Sequence, residues 1–479
     1  MKPELTQNDI AAGLRDLGLK DGDVVLLHSS LASIGRVGGG ADAVIDAFLA
    51  VIGASGTLVV PTFGALGIIT EVLKARPDAV QSILPKACVA ALGAQAKVLC
   101  RDHWQAELAH GQDTPYTRIA EVGGYVCLLG VDQDRNTTLH TVEELARLPY
   151  LKTTAPITFD TPAGEVTKSW PFFPGPHRDF IGLDPLLLRD GEMRIGRIGD
   201  AMVRLMPAQK ILDVGAQAAK DDPAFALCDN PNCADCQGQR ADLRRDRFAR
   251  ESFQLAATAS LAGRYAEEIA ENCQRAGITA VELDCLNGKP ATTLGSAKVE
   301  RAVALLREEG IKVSALRLPC VPKELGSAIE LAGRIGVGRI VMPLSPNASQ
   351  HVAACQAAGI TVSFGNSILD CEAATEIVLE LEGAGLAFSP AAFARAGEKP
   401  FLQSYRRKLR HSIDQLDIED ATFDGIPQPL AQGNGEIKEL VSILRCRSFS
   451  GWFVLSATNR AIGSLQDAVG QLERVLDQI

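Results

Sequence analysis

The chain has 479 residues, 46% of them hydrophobic and 22% charged, which is too long for one ordinary domain and too apolar for disorder. Lysine plus arginine total 48 against 58 aspartate plus glutamate, a net charge of −10. That balance argues against nucleic acid or an anionic membrane as partner, and no apolar run reaches the roughly 18 residues of a spanning helix. The first residues lack the charged-then-apolar layout of a secretion signal. A cytoplasmic protein is therefore expected, with its 12 cysteines mostly buried as thiols.

The first half alternates apolar strands with helical stretches, an α/β pattern. Residues 23–28 (DVVLLH) read as a buried strand, and 41–52 carry apolar residues at helical spacing. Residues 57–61 (TLVVP) and 125–131 (YVCLLGV) are further strands, the second running into the polar turn 132–136 and a helix over 137–148. Residues 154–160 and 165–172 predict a hairpin around Pro162-Ala163-Gly164. The stretch 221–250 changes character, with three cysteines and then an Arg/Asp-rich run, and predicts the domain boundary near residue 250.

The second half is more regular. Apolar strands are expected at 254–257, 280–283, 312–317, 339–343, 361–364, 386–388, 415–419 and 452–455, with helices between them and a last helix over 464–479. Eight such units in about 228 residues predict a (β/α)8 barrel.

Three groups of residues could carry chemistry. The segment from His28 through Ser29, Ser30 and Gly38-Gly39-Gly40 to Asp42 follows a strand and opens a helix, the arrangement of an anion site built from glycine amides and a helix N-terminus. It carries neither dinucleotide nor P-loop spacing, and it also suits a βα connection that needs glycines for packing. His140 and Glu143 stand one turn apart on one helix face. A histidine suits a general base and a carboxylate can orient its ring, although E-E-L-A-R is equally an ordinary solvated pattern. Cys228-x4-Cys233-x2-Cys236 has metal-like spacing but is one ligand short of the four that zinc wants. No metal is expected, with structural zinc at Cys228, Cys233 and Cys236 as the alternative.

The segments LLHSSLASIGRVGGGADAVIDAF (26–48) and GTLVVPTF (56–63), then Asp113-Thr114-Pro115-Tyr116, 131–143 and 197–201, together resemble the aminoglycoside 3-N-acetyltransferase family over about residues 5–250. The resemblance implies acetyl-CoA as donor and, as acceptor, an amino group of an aminoglycoside or a related aminosugar or aminocyclitol. It implies that Ser29, Ser30, Gly38, Gly39 and Gly40 hold the pantetheine and pyrophosphate and that Thr62 lies beside the thioester. His140 is then the general base of a direct transfer, and Glu143 orients it or binds the amine. Asp132 and Glu144 are candidate contacts to a cationic acceptor. The chain departs from the family at residues 81–85 (QSILP), where members often carry a basic, histidine-containing segment.

The second half, by GITAVELDC (277–285), residues 385–401 and 413–425 and GWFVLS (451–456), resembles the sugar-phosphate isomerase/epimerase barrels. The metal-binding pattern of that family is broken. Ser389, Ala392, Asp417 and Ser456 stand where an aspartate, a polar amide, a histidine and a glutamate are usual, and only Glu282 and Asp420 survive. Two carboxylates do not make a hard-cation site. The expectation is thus two domains, 1–250 an N-acetyltransferase-like α/β domain and 251–479 a TIM barrel without metal catalysis. Isomerase activity of the barrel and a non-catalytic carbohydrate-binding protein are the alternatives. The sequence also allows a homo-oligomer.

Overall fold

The computed structural model describes residues 4–175, 177–189, 191–321, 325–366, 371–458 and 460–479. The chain forms two compact units, Met1–Leu243 and Arg244–Ile479.

The first unit is built on a seven-stranded mixed sheet. In chain order its elements are α1 (Gln7–Asp16), β1 (Val24–Ser29), α2 (Gly40–Ile52), β2 (Thr57–Pro61), β3 (Val80–Gln81), β4 (Val89–Gly93), α3 (Pro115–Glu121), β5 (Tyr125–Leu129) and α4 (Thr138–Leu145). There follow β6 (Ile157–Thr161), β7 (Gly164–Lys168), β8 (Arg194–Ile198), β9 (Ala201–Pro207) and α5 (Ala208–Asp221), then α6 (Ala234–Ala249), which begins in this unit and ends in the next. The strand order is β8-β9-β5-β1-β2-β4-β3. The three central strands β5, β1 and β2 are parallel, with Val24 opposite Thr57 and Ser29 opposite Leu129, while β9 and β4 join antiparallel on either side. The expected hairpin forms as β6 and β7 outside this sheet.

Alternation along β1 divides the core. Val25 and Leu27 pack with α1 and α2, among them Ile10, Leu14, Val44 and Phe48. Val24 and Leu26 pack with α3, α4 and α5, among them Ile119, Leu139, Val142 and Ile211. Both faces are covered, which is why the central strands read as unbroken apolar runs rather than as alternating ones.

The second unit is a closed barrel of eight parallel strands: β10 (Gln254–Thr258), β11 (Ala280–Leu283), β12 (Lys312–Arg317), β13 (Arg339–Pro343), β14 (Thr361–Gly365), β15 (Ala384–Phe388), β16 (Ile413–Ile418) and β17 (Trp452–Leu455), the last pairing with the first. All eight expected strand segments form. The last helix is capped by Ser464 and Asp467 in a reciprocal capping box.

Inside the barrel, charge is paired off. Arg317 at the end of β12 donates to Glu282 at 2.5 Å and to both oxygens of Asp417 at 2.7 and 3.2 Å. Arg339 reaches Glu282 at 3.4 Å. Burial pushes the Glu282 carboxyl up against the pull of these two arginines. Asp420 accepts the backbone N–H groups of Ala421, Gly433 and Gly435 at 2.8–2.9 Å. Glu419, which the sequence did not single out, accepts from the Ser389 and Thr458 hydroxyls. Removing Arg317 alone would leave Asp417 without its arginine and Glu282 with only the longer contact to Arg339. Arg317→Met is expected to destabilise the protein by about 3–5 kcal/mol, measured by denaturant unfolding with a tryptophan signal.

Candidate active site

The first unit has a topological switch at β1. Its neighbours β5 and β2 lie on opposite sides, and the segments after β1 and β5 pack on opposite faces of the sheet. In such sheets ligands bind in the crevice beyond the carboxyl ends of the strands at that point. The candidate residues gather there. Period 2 sends His28 to the α4 face with Val24 and Leu26, and Ser29 to the α2 face.

Helix α4 follows β5 through the 310 turn Gln133–Arg135. Gln133 is buried, accepts from the Asn136 amide at 2.9 Å and donates to the Met206 sulfur. The Asn136 side chain in turn accepts from the N–H of Thr138 at 3.1 Å, so the start of α4 is pinned from below. Three residues apart on that helix, His140 Nδ1 meets Glu143 Oε2 at 2.6 Å. The other oxygen of Glu143 accepts from the Tyr150 hydroxyl and from Arg178 Nε, each at 2.7 Å. Glu143 is fully buried, and Arg178 is 2% exposed at its side chain. Burial raises the Glu143 carboxyl. The hydrogen bond and charge of His140, with Arg178 and Tyr150, outweigh it and hold the group below its usual range.

An ionised carboxylate only accepts hydrogen bonds, so Nδ1 carries the ring proton and Nε2 keeps its lone pair. Burial lowers the His140 pKa, opposed by Glu143 and helped by the neighbouring His110 and Arg178. The imidazole is therefore neutral near pH 7. Its plane is fixed by Phe173, stacked at 3.5 Å between ring centroids and 5° between planes. The side chain keeps 15% exposure, enough for one ring edge to meet a substrate.

Two more histidines belong to this cluster; the sequence marks His28 only as the start of the β1–α2 segment and does not pick out His110. His110 lies 5.7 Å from His140 between ring centroids. His28 is buried and driven down to about 3 by desolvation, with the charge of His140 adding to it. His28 Nε2, His110 Nε2 and the hydroxyls of Thr62, Thr138 and Thr141 are buried without a hydrogen-bond partner. Native proteins rarely leave such atoms unpaired, and these lie in His110, α4 and the ends of β1 and β2, so polar capacity gathers at the crevice. His28 was legible in principle, as a histidine ending an apolar strand. His110 was not, because its partner Glu144 is 34 residues away.

Glu144 corrects an expectation. It has no exposure, and both oxygens are held by His110, from the backbone N–H at 2.7 Å and from Nδ1 at 2.9 Å. It is a support beneath the site and not a free carboxylate for a cation. Asp132 is half-buried and caps its own turn, accepting from the N–H of Asp134 at 3.3 Å.

On the other face, Ser29 ends β1 half-buried. Ser30 donates its N–H to the Leu129 carbonyl, and its hydroxyl accepts from Ser33 at 2.9 Å. Gly39 and Gly40 take φ of +80° and +59°, so the turn into α2 demands glycine. The loop itself uses two of these amides, Gly38 N–H to the Leu5 carbonyl and Gly40 N–H to that of Val37. Ala43 N–H reaches the Gly39 carbonyl, so of the first-turn amides of α2 those of Ala41 and Asp42 have no intrahelical acceptor. Cys228, Cys233 and Cys236 are joined by His177, all four ligand atoms within 4.8 Å of one another.

These features define an α/β unit with a carboxylate-oriented histidine at the ends of its parallel strands. Residues 26–66 and 64–220 match the family model for aminoglycoside 3-N-acetyltransferase. The chain is 35% identical over 181 residues to aminoglycoside N(3)-acetyltransferase VII of Streptomyces paromomycinus, covering 30% of this chain and 62% of that protein. It is 37% identical over 178 residues to aminoglycoside N(3)-acetyltransferase IX of Micromonospora chalcea, covering 30% of this chain and 63% of the other. The chain thus spans less than two thirds of the length of these relatives. Among solved structures, that of the aminoglycoside acetyltransferase AAC(3)-IVa apoenzyme aligns at 27% identity and TM-score 0.47, covering 50% of this chain and 99% of that one. The relatives of the N-terminal half are acyltransferases. Among the described residues, no helix is long and apolar enough to cross a membrane.

The buried histidines carry a pH signature. Unfolded, His28 and His103 take up a proton below about 6.5; folded, both stay neutral down to about 3. The unfolded state therefore binds more protons across that window, and stability falls as pH falls through it. Chemical denaturation over a pH series is expected to show the loss beginning near 6.5, and His103→Gln to reduce its slope.

Proposed function

We propose that the N-terminal unit, over about residues 1–250, transfers an acetyl group from acetyl-CoA to an amino group of an aminoglycoside or related aminosugar or aminocyclitol. The observation that carries this reading is the His140–Glu143 pair. Its carboxylate is buried and triply held, and its imidazole is neutral with one free nitrogen. The family match over the same unit supports it.

An ammonium group is no nucleophile, so the acceptor first gives one proton to solvent and attacks as the free amine, which must lose a second proton to become the amide. His140 Nε2 takes that proton as the amine attacks. Glu143 stabilises the imidazolium that forms, while Tyr150 and Arg178 keep the carboxylate turned toward Nδ1. Acetyl-CoA, when bound, supplies a thioester carbonyl. A C–N bond forms, the C–S bond breaks, and the proton on His140 leaves with the CoA thiol. Ser29, Ser30 and the Gly38–Gly40 turn at the start of α2 are the candidates for the pantetheine and pyrophosphate. The unpartnered hydroxyl of Thr62 suits a polar atom beside the thioester. Asp132 is the candidate contact to a cationic acceptor.

For the second unit we infer a TIM-type barrel that keeps its scaffold without metal chemistry. Arg317 occupies Glu282 and Asp417, backbone amides occupy Asp420, and hydroxyls occupy Glu419. Each carboxylate therefore already has its counter-charge or its donors, which supports a structural or sugar-binding role. The full chain is expected to show no divalent-metal-dependent interconversion of sugars. Turnover that appears with added metal and persists in His140→Ala would overturn this.

Thiol release from acetyl-CoA across a panel of aminoglycosides and aminocyclitols tests the first proposal. His140→Ala is expected to lower kcat by about 10²–10⁴-fold with little change in acetyl-CoA binding. Glu143→Gln also lowers kcat, because an amide can turn the ring to the wrong tautomer. Because burial holds His140 below the ordinary 6.5, kcat/KM is expected to rise with pH and level off at a midpoint under 6.5. No thiol release with any amine, together with no acetyl-CoA binding, would sink the proposal.

A further inference from the structure

Four soft ligands meet beside the described site. Cys228 and Cys233 flank the turn Asp229-Asn230-Pro231-Asn232, and Cys236 sits in the first turn of α6. His177 comes from a loop more than 50 residues upstream. Its Nδ1 lies 3.3 Å from Cys236 Sγ and 3.5 Å from Cys233 Sγ. Zinc bonds to nitrogen and sulfur of about 2.05 and 2.3 Å, set at the tetrahedral angle, put those atoms about 3.6 Å apart. The thiols are free rather than bridged. We propose that His177, Cys228, Cys233 and Cys236 form a four-coordinate zinc site that ties His177 and the adjoining Arg178 to α6.

The surroundings suit that load. Three thiolates and Zn2+ leave one net negative charge. The N-terminal end of the 16-residue helix α6 faces it with its dipole. Arg240 adds a positive charge, donating to the carbonyls of Leu227 and Cys228. The ligand loop is held by contacts that do not involve the metal. Asp235, inside the Cys-x-x-Cys step, accepts from the N–H of His177 at 3.4 Å, and Gln239 donates to the Pro174 carbonyl at 2.7 Å. A thiolate-rich set with one imidazole selects zinc over hard cations such as magnesium or calcium. Four ligands with no open position make the site structural.

The site has a neighbour that matters. Arg178 follows His177 directly and is the residue that holds Glu143. Fixing His177 therefore limits the motion of Arg178. That consequence rests on the proposed acetyl transfer; the metal site does not.

The test uses the full chain, purified reduced and with zinc in the growth medium. Elemental analysis is expected to find one zinc per chain. Replacement by Co2+ is expected to give the visible bands of a tetrahedral site and thiolate-to-cobalt charge transfer. Cys233→Ser and His177→Gln should each lose the metal and the cobalt bands, while Cys446→Ser, an exposed cysteine elsewhere, keeps both. If a variant fails to fold, chelator removal from the unsubstituted chain, followed by cobalt titration, gives the same reading. A folded chain that holds no zinc and gives no cobalt spectrum overturns the proposal. So does a Cys233–Cys236 disulfide in the isolated protein. Loss of zinc with unchanged acetyl transfer would sink only the coupling through Arg178.

Discussion

Glu143 carries a charge where water does not reach, and much of the first unit is arranged around that fact. A lone carboxylate taken out of water is costly. Here three donors from three stretches of chain share the charge: His140 on the same helix, Tyr150 just beyond it, and Arg178 from a distant loop. The arrangement stabilises the carboxylate and fixes the tautomer of His140 in the same contacts. Removing Tyr150 or Arg178 would weaken the hold on the carboxylate and through it on the His140 ring, so burial of the charge and orientation of the ring depend on one residue.

The sheet decides where this group can stand. Parallel strands bury both faces, so the ends of β1, β2 and β5 are the places where the chain can offer polar atoms to a ligand. Alternation along β1 then distributes them. His28 falls on the α4 face with His140, and Ser29 on the face of the glycine turn. In the proposed function, proton transfer and anion binding would thereby reach one crevice from opposite sides of a single strand.

The two units treat buried charge in opposite ways. In the barrel, Arg317 closes Glu282 and Asp417, and Glu419 and Asp420 are satisfied by hydroxyls and amides. Little capacity is left to bind a cation. In the first unit the network stops one atom short. Glu143 is saturated, but Nε2 of His140 and several buried hydroxyls and ring nitrogens remain for something else to meet. That difference separates a rigid polar core from a reactive one.

The sequence by itself determined the local elements. The apolar runs at 57–61, 280–283, 312–317, 339–343 and 452–455 coincide with strands, because a short run of apolar residues between turn signals has few other stable conformations. The i,i+3 pair of His140 and Glu143 was legible for the same reason, since helical geometry alone brings such residues together. Tertiary structure decided the rest. Glu144 looked like a solvated carboxylate until the fold set it against His110, 34 residues away. Cys228, Cys233 and Cys236 looked one ligand short until the fold brought in His177. Arg317 showed no sign of pairing with a residue 100 positions on. Spacing along a chain reports neighbours within a turn or a strand. Contacts across tens of residues depend on how strands and helices stack, and no local pattern encodes that.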